Sequence, residues 1–161
     1  MQAKERLAVT HCTYVIERDY PTTPERVFTA LSDPALKQRW FAGGEGSAFE
    51  EFEMDFRVGG TERTVRRFKE DSPFPGVALV NRTTYQDIVV NRRVVMAYTM
   101  SLGEKRISAS LATFELLAAD RGTKLVFTEQ AAFFEGADGP QMREQGWRKL
   151  LDSLATELVR Q

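Results

Sequence analysis

The chain predicts an α+β fold in which a curved antiparallel sheet closes over one long helix. Three observations carry that expectation. The stretch from Asp138 to Gln161 has helical periodicity, with Trp147, Leu150, Leu151, Leu154 and Leu158 on one apolar stripe. Most of the preceding chain instead alternates apolar and polar residues with period two. No helical crossovers separate those strand-like segments, which argues for strands packed on a single helix.

Residues 12–20 (CTYVIERDY) read as a first strand, alternating and rich in β-branched or aromatic residues. Thr23 then caps a short helix with Pro24 in its first turn, and Val27, Phe28 and Leu31 supply its buried side. Asp33 and Pro34 repeat the signal. The second short helix is expected to run to about Arg39 and to deliver Trp40 and Phe41 before the glycine-rich Ala42 to Gly46 segment, read as a flexible lip. From Phe49 the period becomes two, with Phe52, Met54 and Phe56 opposite Glu51, Glu53 and Asp55. Gly59 and Gly60 turn the chain into a strand over 61–69. Further strands are expected at about 77–88, 93–101, 105–117 and 123–131, giving the order β, α, α, six β, α. Asp138 and Gln141 stand at capping-box spacing around Pro140 at the start of the last helix. Gly146 lies one turn before Leu150. Glycine there costs about 1 kcal/mol relative to alanine, so a ligand or a close strand is expected to need the space.

A length of 161 residues suits a single domain, here residues 11–161 behind a tail at 1–10. Such a chain buries roughly 70% of its unfolded surface, enough for a core and a cavity. Lys plus Arg number 22 and Asp plus Glu 23, a net charge of −1 that provides no field for nucleic acid or an anionic membrane. The basic group Arg63, Arg66 and Arg67 reads as a solvated strand face. Cys12 and His11 are the only cysteine and histidine, which excludes an internal disulfide, a cysteine-clustered zinc site and a His-rich metal site. No signal peptide or stretch of roughly 20 apolar residues is present, so the expected location is the cytoplasm. The G-x-S-x-G, G-x-x-x-x-G-K-[ST] and H-E-x-x-H motifs are also missing, and neither cofactor nor metal is expected.

Five segments, VIERDYPTTPERVFTALSDPALKQRWF, DFRVGGTE, YQDIVVNRRVVMAYTMS, RISASLATFEL and GTKLVFTEQ, resemble in this order the START-like or SRPBCC superfamily. Within it the chain is similar to the branch of homologues of the activator of heat-shock protein 90 ATPase. The resemblance runs from about residue 12 to the C-terminus. It implies the helix-grip fold of the birch-pollen allergen, a seven-stranded antiparallel sheet wrapped around the C-terminal helix with an internal cavity between them. It implies no single function, because related domains carry lipids, cyclise polyketides, sequester antibiotics or assist a chaperone.

Strand parity nominates the polar residues. Leu125, Phe127 and Glu129 share a face, which aims Glu129 at the helix. Two readings stand for it: a desolvated carboxyl with raised pKa, suited to acid or base chemistry, or a rim carboxylate turned out by a bulge near Thr128 to meet an arginine. Glu62 occupies a position where the superfamily resemblance implies a cavity-facing aromatic. With Tyr98 and Arg106 it is expected to join Glu129 in one cluster, either as a structural ion pair or as two carboxylates dividing acid and base roles. Trp40, Phe41, Phe56, Tyr85, Phe127, Phe133 and Trp147 are expected to share duty between pocket wall and core, together with Leu151 and the adaptable Met54, Met96, Met100 and Met142.

The leading functional expectation is a module that binds a small apolar or aromatic, lipid- or polyketide-like ligand between sheet and helix. The alternative is a cyclase- or dehydratase-like enzyme using Glu129 and Glu62. A third is a chaperone co-regulator. Homodimerisation through a sheet edge or the glycine-rich lip stays open.

Overall fold

A computed structural model describes residues 8–42 and 49–160. The elements follow in the expected order: β1 (Thr10–Tyr20), α1 (Pro24–Ser32), α2 (Pro34–Phe41), β2 (Glu51–Met54), β3 (Thr61–Arg67), β4 (Ala78–Val89), β5 (Arg93–Leu102), β6 (Lys105–Ala119), β7 (Gly122–Phe133) and α3 (Pro140–Leu158). All seven strands form one antiparallel sheet in the order β1-β7-β6-β5-β4-β3-β2, with α3 packed on its inward face. The fold is a helix grip. The glycine-rich segment proposed as a lip falls at 43–46, outside the described residues.

Local chemistry sets the element ends. Thr23 Oγ1 accepts from the Arg26 amide at 3.3 Å, and Asp33 Oδ1 accepts from the Ala35 and Leu36 amides at 2.9 and 3.2 Å, so each short helix has a side-chain cap. Gly59 has φ +81°, and a Cβ on Gly60 would lie 2.1 Å from the Asp55 carbonyl oxygen. No residue larger than glycine fits position 60 in this turn.

Helix α3 begins differently from expectation. Gly139, at φ +89°, is the N-cap and no side chain caps the helix, so Asp138 and Gln141 form no capping box. Asp138 instead takes two hydrogen bonds from Arg143, at 2.8 and 2.9 Å. A buried guanidinium needs a carboxylate more than solvent-reachable helix amides do. Gly146 also departs from expectation, since it is exposed and a Cβ there would meet nothing within 4 Å. The inward stripe is Arg143, Trp147, Leu151, Leu154 and Leu158, and Gly146 lies about 100° around the helix from Trp147.

The strand register arranges the inward side chains in rows across the sheet. Ile16, Phe127, Phe114, Val94 and Ile88 form one wholly apolar row. The next row towards the start of α3 is Tyr14, Glu129, Ala112, Met96 and Tyr85, followed by Cys12, Ala131, Ser110, Tyr98, Thr83 and Glu62. Phe133, Ser108, Met100, Asn81 and Thr64 complete the series. The interior therefore has an apolar half under the C-terminal part of α3 and a polar half under its beginning. Among the described residues no helix is long and apolar enough to cross a membrane.

Candidate functional site

The polar half is built around Glu129, which is fully buried. Tyr98, its neighbour two strands away on β5, hydrogen-bonds Oε1, and Tyr14, its cross-strand partner on β1, hydrogen-bonds Oε2. The Tyr98 hydroxyl also accepts from Arg143 Nη1 at 3.1 Å and from the Trp147 indole at 3.2 Å. Arg143 reaches Ser108 Oγ at 2.9 Å and lies 5.0 Å from the Phe133 ring centroid. One helical turn thus ties α3 to three strands.

Electrostatics sharpen this arrangement. Burial raises the Glu129 pKa above the usual carboxylate range, with the two tyrosines and Arg143 opposing it. Burial, then the Glu129 charge, raises both tyrosine hydroxyls. Burial disfavours the charge on Arg143, but hydrogen bonds to Asp138 and the neighbouring acids outweigh it and hold the guanidinium protonated. Two polar atoms on the same face, Ser110 Oγ and Asn81 Oδ1, are buried without a hydrogen-bond partner.

Glu62 belongs to a second network. Its Oε1 receives Lys37 Nζ at 2.6 Å and also the Tyr85 hydroxyl. Lys37 comes from α2, is 3% exposed and lies 4.9 Å from the Phe41 ring centroid. The expected single cluster of Glu62, Tyr98, Arg106 and Glu129 is therefore two networks with no shared hydrogen bond. Arg106 belongs to neither. A bulge pairs Met100 with Ser108 but Ser101 with Arg106, so Ile107 is the extra residue and Arg106 turns out to solvent. Parity counted from Ser108 fails across that bulge.

The remaining nominated residues divide. Phe127 and Trp147 pack at 4.4 Å between centroids, Trp147 meets Phe41 at 6.0 Å, and Phe56 meets Tyr85 edge-on at 4.9 Å. These rings fill much of the space between sheet and helix. Trp40 donates to the Ala30 carbonyl at 2.8 Å, joining α1 to α2, and the Leu151 carbonyl accepts from Tyr20 at 2.8 Å in the apolar half. Met100 is half-buried beside Arg143, Met96 is buried and Met142 is exposed on the outer side of α3. Arg66 is not on a solvated face: it donates to the Phe41 and Ala42 carbonyls and stacks 4.8 Å from the Phe49 ring centroid.

Concave surfaces lie outside the two networks. A crevice of about 100 Å³ sits among Arg26, Leu36, Glu157 and Leu158, and a shallow depression of about 570 Å³ opens over β1, β7 and β6. Among the described residues no group of three or more His, Cys, Asp or Glu side chains is placed to hold a metal.

Sequence reading passed over Tyr14, Lys37 and Arg143. Each carried a signal. Tyr14 shares parity with Ile16, Lys37 precedes Trp40 and Phe41 by three and four residues, and Arg143 stands one turn before Trp147 on the apolar stripe.

Residues 21–159 match the family described as Activator of Hsp90 ATPase homolog 1-like protein. The chain belongs to that family. An uncharacterised protein from Rhizobium leguminosarum is 41% identical over 96% of this chain and 98% of its own, with a TM-score of 0.89. A protein from Rhizobium loti is 45% identical over 93% of this chain and 99% of its own, with a TM-score of 0.81. An AHSA1-like protein from Aeromonas hydrophila, 18% identical over 91% of this chain and 92% of its own with a TM-score of 0.67, shares the fold. No curated protein matches the chain. Family membership thus accords with the START/SRPBCC-type helix grip.

Proposed function

We propose that this family member is a cytoplasmic small-molecule-binding domain. Its ligand has an apolar or aromatic body and lies between α3 and the inward face of β4 to β7, with a polar end in the Glu129, Tyr98, Arg143 network. The observation that carries this reading is the pair of orphaned buried atoms, Ser110 Oγ and Asn81 Oδ1, on the face that holds that network. Buried polar groups ordinarily have partners, and a group left without one inside the protein is satisfied by a guest or an ordered water.

Native mass spectrometry of protein purified without added ligand tests the reading. A specific co-purifying mass, lost or weakened in Ser110→Ala, supports it. A clean apo mass together with no thermal shift across apolar, phenolic and lipid-like compounds counts against it, because any ligand selective for the native state stabilises that state by mass action.

A second reading, a cyclase- or dehydratase-like enzyme, draws on the raised Glu129 carboxyl between two tyrosine hydroxyls, a form suited to general acid catalysis. It predicts that Glu129→Gln abolishes turnover while the fold persists. A chaperone role draws on the family description alone, and failure to stimulate an Hsp90-type ATPase would remove it.

A further inference from the structure

The outer face of the sheet, turned away from α3, carries a pattern that the interior networks do not explain. Across β1, β7, β6 and β5 its central row is Thr13, Gln130, Leu111 and Ala97. On one side runs a row of β-branched residues, Val15, Thr128, Thr113 and Val95. On the other side run His11, Ala132, Ala109 and Thr99. None of the twelve is Asp, Glu, Lys or Arg. A surface with about 25–35% charged residues would place about three or four among them.

Relief and charge are both uneven across this field. Ala132 and Ala109 leave a hollow, and the depression of about 570 Å³ lies over them together with His11, Thr13 and Gln130. The β-branched row on the far side of Leu111 stands as a ridge, and Val15 at its end is 51% exposed. Beyond the ridge the strands carry Glu17 and Glu115, and Asp87 continues the ridge row on β4. Arg82 and Arg63 continue the hollow's row on β4 and β3, and Arg106 lies one row further on β6. Arg93, at the acidic end, is held by Asp87 at 2.6 Å. Arg82, Arg106 and Glu115 are exposed and make no ion pair among the described residues.

We propose that this face docks a second copy of the chain about a two-fold axis lying along the central row. Such an axis sets each central residue over its own counterpart and the ridge of one copy over the hollow of the other, the self-complementarity that an isologous contact requires. It also brings Glu115 towards the partner's Arg106 and Asp87 towards the partner's Arg82. An axis along the strands would set acidic end on acidic end and hollow on hollow, so charge and relief select the same axis. Each outward residue covers about 33 Å² of sheet, from a strand spacing of about 4.8 Å and a two-residue repeat of about 6.8 Å. The twelve residues and the six charged ones at the rim present about 600 Å², the lower bound of what a specific interface buries per partner. The contact uses the opposite side of the sheet from the ligand reading and stands or falls apart from it.

Analytical ultracentrifugation of the full chain from about 1 μM to about 1 mM tests the proposal. A reversible dimer is expected, with a dissociation constant of the order of 10–100 μM, since larger interfaces already extend down to micromolar affinity. Val15→Lys, at an exposed position, is expected to weaken it about tenfold or more by setting an unpaired charge in the hollow. Glu115→Arg and Arg106→Glu are each expected to weaken it by opposing like charges, and the double swap to restore it to within about threefold of wild type. Circular dichroism melting checks that every variant is folded. A wild type that stays monomeric at the highest concentration overturns the proposal. A dimer indifferent to Val15→Lys or to the single reversals does the same, because its contact lies elsewhere. Failure of the double swap to recover what the reversals lose removes the proposed axis.

Discussion

The two halves of the interior face the same helix and do different work. Under the C-terminal part of α3, Leu151, Leu154 and Leu158 meet α1 and apolar strand positions such as Ile16, Leu116 and Leu125. Burying each such side chain contributes about 1.5–3 kcal/mol. Under the first turns of α3 the rows hold Thr64, Asn81, Thr83, Tyr98, Ser108, Ser110 and Glu129. A hydrogen bond there contributes about 0.5–1.5 kcal/mol net, and an orphaned atom costs about 1–3. The difference teaches that the apolar half stabilises the fold, while the polar half, with its two orphaned atoms, adds little to stability.

The largest break in that comparison comes from Lys37, the buried charge at the border of the polar half. Lys37→Met is expected to cost about 3–5 kcal/mol by leaving the Glu62 carboxylate buried with no cation and only the Tyr85 hydroxyl as partner, and adding Glu62→Leu should recover most of the loss. Urea titration of the single and double variants measures both. In the apolar half, Leu151→Ala is expected to lose about 2–5 kcal/mol in the same titration.

Glu129→Gln addresses the polar half through pH. The folded pKa of Glu129 is raised above its unfolded value, so the wild type binds more protons when folded and its contribution is full below the ordinary carboxylate range. That contribution is lost as pH rises through the folded pKa. The melting temperature of Glu129→Gln relative to wild type should therefore climb with pH; a flat difference would show that the carboxyl is not held neutral.

Smaller effects refine the contrast. Gly146→Ala is expected to gain up to about 1 kcal/mol, because the position is mid-helix with open space around its Cβ. Ser110→Ala is expected to shift apo stability by less than about 0.5 kcal/mol, or to raise it, while weakening the ligand. A large apo loss would mean that Ser110 has a protein partner and would remove the main support for the binding reading.

Much of this was legible in residue order. Period-two alternation put Glu129 on the inward face, since strand parity is a local property, while the resemblance to the superfamily nominated Glu62, and Thr23 and Asp33 marked both short helices because caps act within three residues. The errors arose where one residue changed the count. The bulge at Ile107 turned Arg106 outward, and one 100° step took Gly146 off the α3 stripe. Residue order gave no way to see that Asp138 would abandon the helix cap for Arg143, a choice decided by where that guanidinium is buried.

By itself the sequence determined the order of elements, a curved sheet over one long helix and, away from the bulges, which residues of each strand turn inward, because each follows from periodicities and caps spanning a few neighbours. The tertiary structure alone decided which inward groups meet. Glu129 with Tyr14 and Tyr98, Arg143 with Tyr98, and Glu62 with Lys37 and Tyr85, join residues 23 to 115 positions apart in sequence. Such pairings depend on register and on how α2 and α3 sit on the sheet, and the cost of burying a charge without a partner then selects the arrangement that satisfies each one.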